Sequence, residues 1–73
     1  MLWVMTFKID CISRVRKSGK GILVVRGANK PTVSDLLAEI QKQGFVELED
    51  NMGKFLCTPS NIGNIYDFES KRA

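Results

Sequence analysis

The sequence predicts a single small α+β domain, in which two helices pack on one face of a three-stranded sheet. Three observations predict it: two stretches with apolar residues at helical spacing, one β-branched run between glycines, and one alternating segment followed by a turn. The predicted order is helix, strand, helix, strand, strand. We expect one domain over residues 1–73, with its core over about 6–58 and an irregular tail or an extra strand over 59–73.

The first helix is predicted over about residues 6–18. At 100° per residue, Phe7, Cys11, Ile12 and Val15 fall on one face, while charged and hydroxyl side chains take most of the rest. A threonine suits the first position and a glycine follows the last one, as helix capping favours.

A strand is predicted over residues 22–26, where four aliphatic residues lie between glycines, and we expect it to be buried on nearly both faces. The second helix is predicted over residues 31–43. Thr32 and Asp35 resemble a capping box at its start. Gly44 is typical of the left-handed residue that ends a helix.

A hairpin is predicted after the second helix. Apolar and polar residues alternate over 45–49, and an apolar run returns over 54–57. The four residues 50–53 between them include Gly53, which supplies the dihedral freedom that a tight turn needs.

The residue types exclude most catalytic chemistry. The chain has no histidine, which removes Ser/His and Cys/His pairs and the commonest metal ligand. Gly19 and Gly21 lack the Gly-Lys-Ser/Thr ending of a phosphate-binding loop. We therefore expect no enzymatic activity, no catalytic residue, no cofactor, no metal and no small-molecule substrate.

The two cysteines, Cys11 and Cys57, can form one disulfide, but a single pair in a chain of ordinary composition favours reduced thiols in an intracellular protein. The apolar run 1–5 is too short to span a bilayer and lacks the charged flank of a secretory signal. We expect it to be a packed terminal strand or helix turn, with an anchor for a partner protein as the alternative, and we expect no membrane association.

Charge is divided unevenly along the chain. Residues 1–30 carry a net charge of +6 and residues 31–73 a net charge of −3. This division favours a one-sided electrostatic surface of the kind that binds nucleic acid, with a solvated charged face as the alternative. The seven cations of the basic half are Lys8, Arg14, Arg16, Lys17, Lys20, Arg26 and Lys30.

Residues 10–18, Asp-Cys-Ile-Ser-Arg-Val-Arg-Lys-Ser, resemble the opening helix of the small-ribosomal-subunit protein eight family, which reads Asp-Met-Leu-Thr-Arg-Ile-Arg-Asn-(Gly/Ala). Asp10, Arg14 and Arg16 match directly. The following strand, corner, second helix and Gly-Phe-Val exit keep the family's order, so the likeness covers about residues 7–58, the family's N-terminal domain. The family's C-terminal rRNA-binding domain has no counterpart, which implies a truncated or split member, as in an organellar ribosome.

The resemblance implies a structural constituent of the small ribosomal subunit. Its partners would be small-subunit rRNA, neighbouring ribosomal proteins and, if the protein is split, a separate chain that supplies the missing domain. It would be intracellular and ribosome-bound, in the cytoplasm or in an organelle matrix such as that of the mitochondrion. Arginines would bind phosphates through two N–H groups at once, and lysines would act as point charges. The predicted RNA-binding residues are Ser13, Arg14, Arg16, Lys17, Lys20, Arg26, Asn29 and Lys30.

Two alternatives remain open. Residues 29–37, continuing to 43–46, also resemble the recognition helix and wing entry of a winged-helix DNA-binding regulator, whose wing would be the hairpin 45–57. That class needs a helix at 22–26, whereas the ribosomal class needs a strand there. The second alternative is a small protein-interaction or regulatory factor. It would expose an apolar patch made of Leu2, Trp3, Val4, Tyr66 and Phe68.

Overall fold

The computed structural model describes residues Met1–Ala73 and shows a five-stranded antiparallel sheet with one helix. Along the sheet the strand order is β4-β3-β2-β1-β5. The elements are β1 (Leu2–Ile12), β2 (Arg16–Arg26), α1 (Val33–Gln43), β3 (Val46–Asp50), β4 (Gly53–Cys57), a 3-10 turn (Pro59–Asn61) and β5 (Ile62–Arg72). No helix is long and apolar enough to cross a membrane.

The predicted first helix is wrong, because residues 6–18 belong to the hairpin of β1 and β2. Alternate residues of β1 are buried from Trp3 to Cys11, which is the period of a strand. Phe7 and Cys11 satisfy both periods, whereas Ile12 and Val15, the other two residues of the predicted helical face, are exposed. The fold class is corrected accordingly: one helix lies on a five-stranded sheet, in place of two helices on three strands.

The second helix and the following hairpin are confirmed. In α1 the Asp35 N–H donates to the Thr32 hydroxyl and the Thr32 N–H donates to the Asp35 carboxylate, which is a capping box. Gly44 ends the helix with φ +88°. β3 and β4 pair around a turn at Gly53, whose φ is +126°.

Residues 22–26 form a strand, the second half of β2, which pairs with β1. A winged-helix domain needs a helix before its recognition helix, and α1 is the only α-helix of the chain. The winged-helix fold is therefore wrong. The N-terminal helix that the ribosomal family implies is absent as well, because the Asp10–Ser18 motif spans two strands and their turn.

The sheet curls strongly, so that β4 lies over β1 although two strands separate them. Cys11 on β1 and Cys57 on β4 form a disulfide, with their Cα atoms 6.0 Å apart. Three strand spacings of a flat sheet would span roughly 14 Å. Gly19 permits the curl, since Leu48 and Phe55 pack where its side chain would be. Both cysteines are bonded, contrary to the reduced thiols expected from composition.

The core lies on the concave inner face of the curled sheet, which α1 covers with Leu36 and Ile40. The Ser70 hydroxyl donates to the Pro31 carbonyl at 2.9 Å and ties β5 to the entrance of α1. The convex outer face has no second layer of structure. The other core residues are Met5, Phe7, Ile9, Cys11, Val46, Leu48 and Cys57.

Candidate interaction surfaces

The structure divides the predicted RNA-binding residues between two ends of the molecule. Ten residue steps of β2 separate Arg16 from Arg26, which is about 33 Å of extended chain. Lys20 lies between them. Ser13, Arg14, Arg16 and Lys17 lie at or beside the β1–β2 turn, whereas Arg26, Asn29 and Lys30 lie at or after the far end of β2.

Two of the cations at the turn have acidic partners. The Arg16 guanidinium lies 3.2 Å from the Asp10 carboxylate. The Lys17 ammonium lies 3.9 Å from Asp50 and 4.5 Å from the centre of the Phe55 ring. The matching Asp10 and Arg16 of the ribosomal resemblance are thus an ion pair across a hairpin, and one nitrogen of the Arg16 guanidinium is already engaged by a carboxylate.

Asp10 is held by a small polar network on the outer face. The Ser18 hydroxyl and the Arg16 guanidinium both donate to its carboxylate, and the Tyr66 hydroxyl donates to Ser18 at 3.1 Å. The Ser18 hydrogen bond, followed by that of Arg16, lowers the pKa of Asp10 below its ordinary value. The network therefore favours the carboxylate and fixes the arginine.

The outer face as a whole is close to neutral. Register and ion pairing place six cations and five acids on it, so the basic half of the sequence does not become a basic face. The cations are Lys8, Arg16, Lys20, Arg26, Lys54 and Lys71, and the acids are Asp10, Glu47, Glu49, Asp67 and Glu69.

An aliphatic patch lies on the outer face, made of Leu2, Val4, Ile22 and Val24; we call it the outer-face patch. Val4 lies directly opposite Val24, and Ile22 is diagonal to Val4 across the same two strands. Ile22 is 64% exposed and Val24 is 59% exposed.

The sequence identified only half of the outer-face patch. Leu2 and Val4 belong to it, but Trp3 is buried and its indole N–H donates to the Gly27 carbonyl. Phe68 packs against the core, and Tyr66 joins the Asp10 network. The run at 22–26 was expected to be buried on nearly both faces, because the sequence does not show that the outer face lacks a covering layer.

The outer edge of β2 is unpaired over its second half. β3 pairs with β2 at Lys20–Glu49, and the two strands diverge beyond that pair. The Gly27 N–H donates to the Met1 carbonyl at 2.9 Å. Because the bonds of an antiparallel pair alternate, the N–H and C=O groups of Ile22, Val24 and Arg26 must then point away from β1. Six backbone groups line this edge without a strand partner.

A cleft of about 700 Å³ opens where β2 and β3 diverge. Ile22 and Leu23 line one wall, and Phe45 and Glu47 line the other. The cleft thus combines apolar side chains, charges of both signs and a free strand edge. The chain contains no group of three or more His, Cys, Asp or Glu side chains placed to hold a metal ion.

Comparisons of the chain with protein-family models, with curated proteins and with solved structures found no match.

Proposed function

We propose that this protein is a small protein-interaction factor, which binds a partner protein through the outer-face patch. The observation that carries the proposal is the exposure of Ile22 and Val24 at the centre of an uncovered sheet face. A contiguous apolar patch with a polar surround is typical of interaction sites on small proteins.

The surroundings of the patch suit a protein surface better than a nucleic acid. Arg26 lies opposite Leu2, and Glu69 and Lys71 lie beside Val4 on β5. An aliphatic centre within a rim of mixed charge matches the usual anatomy of a protein interface. A phosphate backbone would instead require a field of one sign, which this near-neutral face does not supply.

The expected affinity is moderate. Burying a full aliphatic side chain contributes about 1.5–3 kcal/mol, and these side chains are already partly covered. Association itself costs several kcal/mol, about 4 or more. The patch therefore needs the surrounding charges as additional contacts, and we expect a dissociation constant on the order of micromolar.

The test is affinity capture from native extract with the wild-type chain and a Leu2→Lys variant. Leu2 is 46% exposed, so the lysine places a charge in the patch without entering the core. The control is Leu56→Lys, the same change at an exposed leucine of β4 outside the patch. A partner that binds the wild type and Leu56→Lys but not Leu2→Lys supports the proposal. Equal capture by all three chains contradicts it.

Binding of small-subunit rRNA is the second candidate. The observation in its favour is that four of the six cations in the predicted RNA-binding set form no ion pair: Arg14, Lys20, Arg26 and Lys30. Free cations at both ends of β2 could contact separate phosphates of one RNA, with an affinity that falls as salt rises.

Ultraviolet crosslinking in native extract, followed by sequencing of the attached RNA, tests the second candidate. Recovery of small-subunit rRNA that is lost in an Arg14→Ala/Lys30→Ala variant would support it. Lys42→Ala is the matched control, because Lys42 is also a cation without an ion pair but lies on α1. RNA that is recovered equally with all three chains, or none at all, contradicts rRNA binding through these residues.

A further inference from the structure

We infer that the free edge of β2 is a homodimer interface, at which the β2 strands of two copies pair antiparallel about a two-fold axis through Val24. The inference rests on an unpaired strand edge beside a cleft lined by charges of both signs, with an unpaired arginine at the end of the same strand.

The free edge of β2 lacks the features that usually protect a strand edge from association. Unpaired edges invite association, and proteins usually protect them with charges, prolines or bulges. The outer edge strand β5 is protected: it has a bulge at Asp67, where φ is +51°, and charged residues on both sides of it. The free stretch of β2 reads Ile-Leu-Val-Val-Arg and has neither proline nor bulge. An unprotected edge of this kind is expected to be covered in the working state.

The antiparallel register of two β2 strands about Val24 is self-complementary. With the two-fold axis at Val24, Ile22 of one copy lies opposite Arg26 of the other, and Val24 lies opposite itself. Each of these residues points its N–H and C=O outward. Three hydrogen-bonded pairs would form, so all six unpaired backbone groups of each copy would find partners.

Charge selects a second copy over an unrelated strand. In this register Arg26 of one copy lies at the mouth of the other copy's cleft, on the side of Glu47. Glu49, Lys20 and Lys54 line the same cleft. Arg26 and Glu49 have no ion pair within one chain, and Glu47 has only a 3.8 Å contact with exposed Lys54. The two-fold axis makes this complementarity reciprocal. It also joins the two outer-face patches into one apolar surface on a continuous six-stranded sheet, in the order β5-β1-β2-β2-β1-β5.

The size of the contact sets the expected strength. Five residues per copy bury less than the roughly 1,200–2,000 Å² of a stable interface. We therefore expect a reversible dimer with a dissociation constant on the order of micromolar. Sedimentation equilibrium of the full chain over a concentration series measures it.

Charge reversal gives the decisive test. Arg26→Glu alone places a glutamate next to Glu47 twice per dimer, and Glu47→Arg alone places two arginines next to each other, so each variant is expected to dimerise at least tenfold more weakly. An equimolar mixture of the two variants restores both opposite-charge contacts and is expected to dimerise like the wild type. Arg14→Glu, the same reversal at the hairpin turn, is the matched control and is expected to leave the dimer unchanged.

A backbone test is independent of charge. Val24→Pro removes an N–H that points outward, and the β1–β2 bonds stay intact, so the variant is expected to fold and remain monomeric. A wild-type chain that is monomeric at about 0.5 mM overturns the inference, as does a dimer that Val24→Pro leaves intact or variants that do not recover on mixing. The capture of a partner protein is tested with Leu2→Lys, whereas the dimer is tested at Val24, Arg26 and Glu47. The protein-interaction proposal and the dimer inference can therefore fail independently of each other.

Discussion

At the scale of single residues, two glycines on the inner face of β2 leave room for neighbouring core side chains. A methyl group on Gly21 would overlap the ring of Phe7, and one on Gly19 would lie 2.9 Å from Cβ of Leu48. Phe7 and Leu48 are both buried in the core, so neither can move aside freely. The two positions therefore need the smallest side chain for reasons of space, because neither glycine has a positive φ.

Gly21→Ala is expected to lower the free energy of unfolding by about 1–3 kcal/mol, the usual cost of overpacking a core. Gly27→Ala is the control, since the nearest atom to its added methyl is the Asn29 carbonyl oxygen at 3.9 Å. Urea denaturation of both variants measures the difference. Equal stabilities would show that the Phe7 ring has room to shift, contrary to the packing described.

Asp10 gives the molecule a pH-dependent contribution to stability. Its pKa is lowered in the folded state by the Ser18 hydrogen bond and then by that of Arg16. A lowered pKa stabilises the fold above the unfolded value, about 3.9, and this stabilisation is lost as pH falls through the folded value.

Asp10→Asn is therefore expected to be less stable than the wild type by a constant amount above about pH 5, with the difference shrinking below about pH 4. Denaturation midpoints at a series of pH values measure it. Glu39→Gln controls for the loss of one carboxylate, because Glu39 forms no ion pair. A difference that stays the same down to pH 2, or that is absent at pH 7, would contradict the role given to this network.

At the scale of elements, α1 is held by local contacts at both ends. The Thr32 N–H donates to Asp35 at 2.8 Å, and the Gly44 N–H donates to the Ile40 carbonyl at 2.8 Å. Leu36 and Ile40 then fix the helix on the sheet. The helix depends on its caps because eleven residues are marginal for an isolated helix.

Thr32→Ala is expected to cost about 1 kcal/mol of stability, because the Asp35 N–H loses its acceptor. Ser34→Ala is the matched control: Ser34 is exposed, follows in the first turn and makes no side-chain hydrogen bond. Thermal unfolding followed by circular dichroism compares the two. An effect as large for Ser34→Ala as for Thr32→Ala would mean that the hydroxyl acts through helix propensity and not through the cap.

The same local signals explain which elements the sequence predicts. The helix at 33–43 and the hairpin at 46–57 are marked by a capping box and by glycines with positive φ. The β1–β2 turn has no such marker, since it reads Ser-Arg-Val. The helix predicted over 6–18 therefore included the turn residues. β1 is also fixed by β5, some 60 residues later, and a contact so distant in sequence leaves no local pattern.

At the scale of the whole molecule, folding interleaves the two charged halves of the sequence. Lys8 pairs with Asp67 at 3.3 Å, and Lys17 pairs with Asp50, so cations of the first half meet acids of the second. Division of charge along a chain therefore does not imply division of charge over its surface. The predicted RNA-binding set does not form one surface either, because β2 separates Ser13 and Arg14 at its start from Asn29 and Lys30 beyond its end.

The Cys11–Cys57 disulfide is the remaining global constraint, because it joins β1 to β4 across the curled sheet at a sequence separation of 46. Closing a loop of this length contributes about 4 kcal/mol in the chain-entropy description. A domain of this size has a total stability of roughly 4–11 kcal/mol, so the bond is a large part of it.

Reduction is therefore expected to lower the free energy of unfolding by about 2–4 kcal/mol and bring the domain close to marginal stability. Urea denaturation with and without reductant measures this change. A Cys11→Ala/Cys57→Ala variant should have a lower free energy of unfolding than the oxidised wild type, and reductant should not change it. If the reduced wild type keeps its stability, the packing of Phe55 and Leu48 against Gly19 must hold the curl alone. In that case Gly19→Ala, and not loss of the disulfide, should be the change that opens the sheet.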